Sequence, residues 1–187
     1  MIKGLFFDLD GTLINTYEAD FLAYRDAIRD VLGILIDNSK FKLTHGQEML
    51  KKLESLAPGT TSDQARQIGI KKKLHYKKYL AATTPNTPLI EFMSSFVGHT
   101  EIVLVTSAKR ENAMAVLKEH NLLDLFSEMI FGEDVSNAKP DPEPYLLALS
   151  RTGLNPNEAL VFEDTDSGIL SADAAGIAVI HVKKFSV

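Results

Sequence analysis

The first apolar run, Ile2–Phe7, stops at Asp8-Leu9-Asp10-Gly11. A short apolar run bounded in this way predicts a fully buried strand that ends at a functional loop. From Tyr17 the period changes. Tyr17, Phe21, Tyr24, Ile28 and Val31 fall 4, 3, 4 and 3 residues apart, which is one face of a helix. Asn15 or Thr16 can cap that helix and Gly33 can close it. A further helix is expected over Thr44–Ala57, and Thr61-x-x-Gln64 is a capping-box pattern that opens another toward Leu80. Residues 15–83 therefore predict helices and no strand.

After Pro85 and Pro88 the texture alternates. Glu101–Thr106 reads as a buried strand, Arg110–His120 as an amphipathic helix and Met129–Phe131 as a short strand. Asp141-Pro142 is a cap followed by Pro at the first helical position, leading a helix to Gly153. Asn155-Pro156-x-Glu158 caps a turn before the strand Ala159–Glu163, a helix of small residues ends at Gly176, and Ile177–Val182 is a last strand. Strands alternating with helices predict an α/β protein whose parallel sheet carries helices on both faces.

The 187 residues allow one domain, or one domain with something added. With 45% apolar residues the chain suits a packed globule and excludes a disordered one. A formal charge of −5 argues against a nucleic-acid binder, and the absence of Cys excludes disulfides, thiolate zinc sites and Cys nucleophiles. Apolar runs such as Val31–Ile36 fall far short of the roughly 18 residues of a membrane span, and no signal-peptide core precedes Asp8. The expectation is a soluble, cytoplasmic protein, with nothing that demands more than a monomer. The charge is unevenly placed: residues 15–83 hold 12 Lys and Arg against 8 Asp and Glu, the rest 8 against 17. Either these are solvated helix faces, or a basic insert closes over an acidic, metal-binding core.

Asp8 and Asp10 leave the end of the first strand on the same side, and ligands of open α/β sheets bind beyond such strand ends. Two carboxylates this close do not both ionise easily unless a cation lies between them or one keeps its proton. That is the division of labour of a nucleophile and a general acid. An EF-hand reading fails, because position 12 counted from Asp8 is Ala19 and not Glu. Three more strand ends carry chemistry. Thr106-Ser107 can hold an anion, or simply cap the helix that follows. Lys139 precedes the rigid Pro140-Asp141-Pro142, where a lone Lys is ordinarily a solvated charge. Glu163-Asp164 are adjacent acids beyond a buried strand; hard oxygen ligands with no His or Cys nearby point to Mg²⁺.

In order, FFDLDGTL, VLVTS, AKPDPEPY and VFEDTDSGILSADAAG resemble the four signatures of the haloacid dehalogenase superfamily. The resemblance implies a Rossmann-like, doubly wound core of residues 1–14 and 84–187. Residues 15–83 would form a mobile helical cap of the C1 type, as in phosphoglycolate phosphatase and β-phosphoglucomutase relatives. It implies that Asp8 forms an aspartyl-phosphate while Asp10 protonates the leaving oxygen and then takes a proton from water. Thr106 and the Ser107 N–H would hold phosphoryl oxygens, and Lys139 would neutralise charge. Mg²⁺ would lie between Asp8, the Asp10 main-chain carbonyl and Asp164, with Glu163 bound directly or through water. Dehalogenase members lack the second Asp, so Asp10 places the chain among the phosphate-handling members.

Lys71, Lys72, Lys73, Lys77 and Lys78 crowd one stretch of the insert, too many to share one helical face. Most read as solvated charges, while Lys72 or Lys73 could reach an anionic substrate. Gln47, in His45-Gly46-Gln47, sits where relatives carry a substrate loop with a basic residue and suggests a polar contact. Sugar phosphomutases of the group carry a His near the position of Asp20. The expected function is a Mg²⁺-dependent phosphatase acting on a small phosphorylated metabolite. A β-phosphoglucomutase-type phosphomutase is the runner-up, and a phospho-receiver signalling domain is the alternative of another class.

Overall fold

Five parallel strands lie in the order β5-β4-β1-β6-β7: β1 (Gly4–Phe7), β4 (Glu101–Val105), β5 (Glu128–Ile130), β6 (Ala159–Glu163) and β7 (Ala178–His181). The computed structural model describes residues 1–44, 49–183 and 185. Its central strand β1 pairs in register with Glu101–Leu104 on one side and Ala159–Phe162 on the other. Every residue of β1 is buried, the requirement that made its sequence continuously apolar.

Adjacent residues of β1 serve opposite faces of the sheet. Phe6 joins a cluster with Val103, Val105, Ile130, Val161 and Ile177, closed by Tyr145 and Ala148 of α7 (Glu143–Thr152) and Ala172 of α8 (Asp166–Ala174). On the other face Phe7 stacks on Phe162 at 4.6 Å, and Phe92 of α5 (Thr87–Ser94) reaches the same ring at 5.7 Å. Side chains of this size each contribute about 1.5–3 kcal/mol on burial. The molecule is thus an α/β protein with helices packed on both sheet faces.

The chain divides into two compact units, Met1–Asn15 with Thr84–Val187, and Thr16–Thr83. Asn15 falls with the sheet because the two connections pair as antiparallel strands, β2 (Ile14–Asn15) against β3 (Thr84–Pro85). Two-residue strands leave no periodicity in a sequence, and neither was anticipated. The same holds for α5 and for the five-residue α2 (Asn38–Lys42). In the helical unit, α1 (Tyr17–Leu32) packs along α4 (Ser62–Tyr76), with α3 (Met49–Leu56) beside them. Tyr17, Phe21 and Tyr24 of the α1 stripe set their rings 5.4–5.7 Å from that of Phe41.

The caps differ in detail from their sequence signals. Gly33 adopts a positive φ of 70° and closes α1 through its N–H on the Arg29 carbonyl, while Thr16 caps the helix without a side-chain capping bond. Both halves of the Thr61–Gln64 capping box form. The α7 start shifts by one residue: Pro142 is the cap, and the Asp141 carboxylate accepts the Glu143 N–H. Helix α4 ends at Tyr76, so Lys77 and Lys78 lie at and beyond its cap. Among the described residues no helix is long and apolar enough to cross a membrane.

Candidate active site

The central strand and its two neighbours carry the candidate residues at their carboxyl ends. Asp8 follows β1, Thr106 and Ser107 follow β4, and Glu163 and Asp164 close β6. Parallel register brings these ends level, so residues separated by more than a hundred positions become neighbours. Lys139 arrives from the loop between β5 and α7. That loop is fixed by Glu143, whose carboxylate accepts the Ser136 and Asn137 N–H groups at 2.8 Å each. Those two backbone bonds hold the Glu143 carboxyl below its ordinary range.

Lys139 is the hub of the cluster. Its Nζ donates to Asp8 Oδ1 at 2.8 Å, to the Val105 carbonyl at 2.8 Å and to Glu163 Oε1 at 2.5 Å, which uses all three ammonium hydrogens. The Lys139 side chain is only 5% exposed. Burial alone would push its pKa down, but Asp8, Tyr145 and Glu163 outweigh that and raise it well above the ordinary lysine value. Lys139 is therefore an ammonium throughout the neutral range. Burial pushes the Asp8 carboxyl well above the carboxylate range; Lys139 opposes this, and Glu163 and Asp10 add to it.

Carboxylate oxygens of Asp8, Glu163 and Asp164 lie within 4.8 Å of one another, all three residues buried. One ammonium cannot balance three buried acids, and the donor set is entirely hard oxygen. The residues therefore fit a divalent cation. Thr12 donates its hydroxyl to Asp164 Oδ1 at 3.2 Å. Gly11 has φ +96° and lies so close to Asp164 that a Cβ would fall on its carboxylate. Asp10, the other acid of the first loop, is half-buried beside an isolated bridge to Ile14.

The Thr106 hydroxyl accepts the Ala108 N–H at 3.0 Å, which leaves its own proton to donate elsewhere; Ser107 beside it is exposed. The loop is packed from behind by Gly132, where a Cβ would meet the Ser107 carbonyl oxygen. Asp8, Lys139, Glu163 and Asp164 are thus brought together directly, with Thr12 and Tyr145 as partners the sequence reading passed over. Tyr145 donates to Glu163 Oε1 at 3.2 Å. Its only sequence signal was the end of AKPDPEPY, where an aromatic residue in an amphipathic helix reads as core.

The remaining candidates lie in the helical unit. Lys72 pairs with Asp20 Oδ1 at 2.6 Å and lies over the Tyr24 and Tyr76 rings, while Lys52, buried and unanticipated, meets Asp20 Oδ2 at 3.3 Å. Gln47 lies outside the described residues.

Residues 5–182 match the family of haloacid dehalogenase-like hydrolases. The chain belongs to that family. It is 30% identical over 192 residues to the phosphorylated carbohydrates phosphatase of Thermotoga maritima, covering 96% of this chain and 84% of that protein. Identity to the fructose-1-phosphate phosphatase of Escherichia coli is 27% over 184 residues, covering 96% of each. The crystal structure of a predicted phosphoglycolate phosphatase from Haemophilus somnus shares the fold of this haloacid dehalogenase-like protein, with a TM-score of 0.88 at 23% identity. The match spans 96% of this chain and 84% of that one.

Proposed function

We propose that this haloacid dehalogenase-like hydrolase is a Mg²⁺-dependent phosphatase of a small phosphorylated metabolite, a phosphorylated sugar in the first instance. The chain is a phosphoric monoester hydrolase, and the Lys139 ammonium held between Asp8 and Glu163, with Asp164 alongside, is the observation that carries the reading. Substrate class is supported by relatives whose names specify a phosphorylated carbohydrate and a fructose phosphate.

Asp8 attacks phosphorus, the bond to the sugar oxygen breaks, and Asp10 supplies the proton that oxygen needs. A water then attacks the aspartyl-phosphate, Asp10 takes its proton, and phosphate leaves as the Asp8 carboxylate is restored. Thr106 and the Ser107 N–H orient the phosphoryl group, and Lys139 offsets the charge that gathers on it. Asp8, the Asp10 main-chain carbonyl and Asp164 are the groups that would hold Mg²⁺, with Glu163 adjacent. The bound cation supplies further neutralisation of phosphoryl oxygens. Residues 15–83 act in this reading as the cap, and Lys72 and Gln47 as its substrate contacts. The placement is in the cytoplasm.

The test is hydrolysis of p-nitrophenyl phosphate with Mg²⁺ and with chelator, followed by a panel of sugar phosphates assayed for free phosphate. Turnover that is absent in the wild type, or that survives in Asp8→Asn, defeats the proposal. Conversion of a sugar phosphate to an isomer without release of phosphate would make the protein a phosphomutase.

A further inference from the structure

Glu163 belongs to the acidic cluster, yet its oxygens are already claimed. Oε1 accepts from Lys139 Nζ at 2.5 Å and from the Tyr145 hydroxyl at 3.2 Å. Oε2 accepts the Asp164 N–H at 3.1 Å, the Thr165 N–H at 3.2 Å and the Thr165 hydroxyl at 3.1 Å. A carboxylate offers about four lone-pair sites, and here five donors of the protein converge on them. The remaining approach is walled by α8, where a Cβ at Gly168 would fall on the Glu163 carboxylate. The side chain is 1% exposed.

Tyr145 completes this arrangement. It is among the largest fully buried side chains of the molecule. Its hydroxyl meets the same Glu163 oxygen that Lys139 uses, and its ring centre lies 5.1 Å from the Lys139 ammonium. Ammonium, carboxylate and phenol thus form one network in which two groups serve the placement of the third.

We propose that Glu163 is a positioning residue and not a metal ligand: with Tyr145 it fixes the Lys139 ammonium against Asp8. The inference rests on the function proposed above for Asp8 and Lys139, and it divides the acidic cluster by role. Asp8 and Asp164 would hold the cation, and Glu163 holds the lysine. The Thr165 and Asp164 N–H groups hold Glu163 in its orientation, as second partners orient metal and catalytic groups elsewhere.

The experiment compares Glu163→Gln, Tyr145→Phe and Asp164→Asn in the full chain, each first checked by thermal melting. Mg²⁺ affinity from titration calorimetry is expected to stay within about 3-fold in Glu163→Gln and Tyr145→Phe and to weaken more than about 10-fold in Asp164→Asn. The Lys139 ammonium resonance in ¹⁵N-edited spectra, assigned through Lys139→Arg, is expected to shift or broaden in the first two variants and to persist in the third. On p-nitrophenyl phosphate, kcat should fall about 10-fold in Tyr145→Phe and about 100-fold in Glu163→Gln, with KM within about 2-fold. Loss of Mg²⁺ affinity in Glu163→Gln equal to that in Asp164→Asn overturns the proposal. So does an unchanged Lys139 resonance with unchanged kcat in Tyr145→Phe, a variant that removes one oxygen from a packed ring and keeps the fold. A wild-type protein without phosphatase activity would defeat the functional reading, while the calorimetry and the ammonium resonance would still decide the role of Glu163.

Discussion

Asp8 and Lys139 define each other: the carboxyl keeps the ammonium protonated, and the ammonium opposes the burial that would neutralise the carboxyl. Replacing Asp8 with Asn removes the proposed nucleophile while preserving shape, and turnover should drop by about 10³-fold or more, measured by phosphate release. Survival of activity would place the nucleophile elsewhere. Gly168→Ala puts a methyl group on the Glu163 carboxylate and should destabilise the protein by about 1–3 kcal/mol in denaturant titration. Most of the site was legible because charged residues interrupt or end apolar strands, an arrangement that packing alone disfavours. Tyr145 and Thr12 were not legible. A phenol in an amphipathic helix and a hydroxyl in a turn follow the same local rules whether or not they touch chemistry.

Loops between elements set the geometry of the candidate phosphate site. The Gly132 N–H donates to the Ala108 carbonyl at 3.0 Å, and its missing Cβ lets it pass the Ser107 carbonyl. Gly132→Ala should push the Thr106–Ser107 loop aside and raise KM for p-nitrophenyl phosphate by about 10-fold, with a smaller change in kcat. An unchanged KM would separate that loop from substrate binding. Helix α4 is a control of a different kind: Thr61→Ala removes its capping bond and should cost about 1 kcal/mol without altering KM. The elements that sequence pattern located are those long enough to show a period or marked by a cap, as α1, α4 and β1 are. Helices α2 and α5 and the paired β2 and β3 were missed, being either too short for a period or fixed by pairing between distant residues.

Cation binding and acid act on the molecule as a whole. If Mg²⁺ binds only the folded protein, Mg²⁺ at about 100 times its Kd should raise stability by about 2.7 kcal/mol over the chelated protein. An unchanged melting temperature would count against the site. For acid, the sign follows from depressed carboxyls. The Lys3 ammonium beside Glu158 lowers it from 4.5 to about 2. Asp63 is lowered by Arg66, and Glu143 by the Ser136 and Asn137 N–H groups. Groups lowered on folding give stability that is present above their unfolded values and lost as pH falls through the folded ones. Asp8 is raised and acts in the opposite sense, but only above its unfolded value of about 3.8. Between about pH 4 and pH 2 the denaturation midpoint of the metal-free protein should therefore fall. A rising midpoint across that window would refute the assignment of those pairs.

The register of β1 carries a consequence for biosynthesis. Residues 4–7 leave the ribosome well before their two neighbours, residues 101–104 and 159–162. That strand waits, unpaired and apolar, while residues 16–83, a compact unit of their own, emerge. Its second hydrogen-bonding edge is satisfied only when β6 is made, the same event that delivers Glu163 and Asp164. Closure of the second edge of β1 and assembly of the acid cluster are therefore one step, and a chain truncated before β6 has neither.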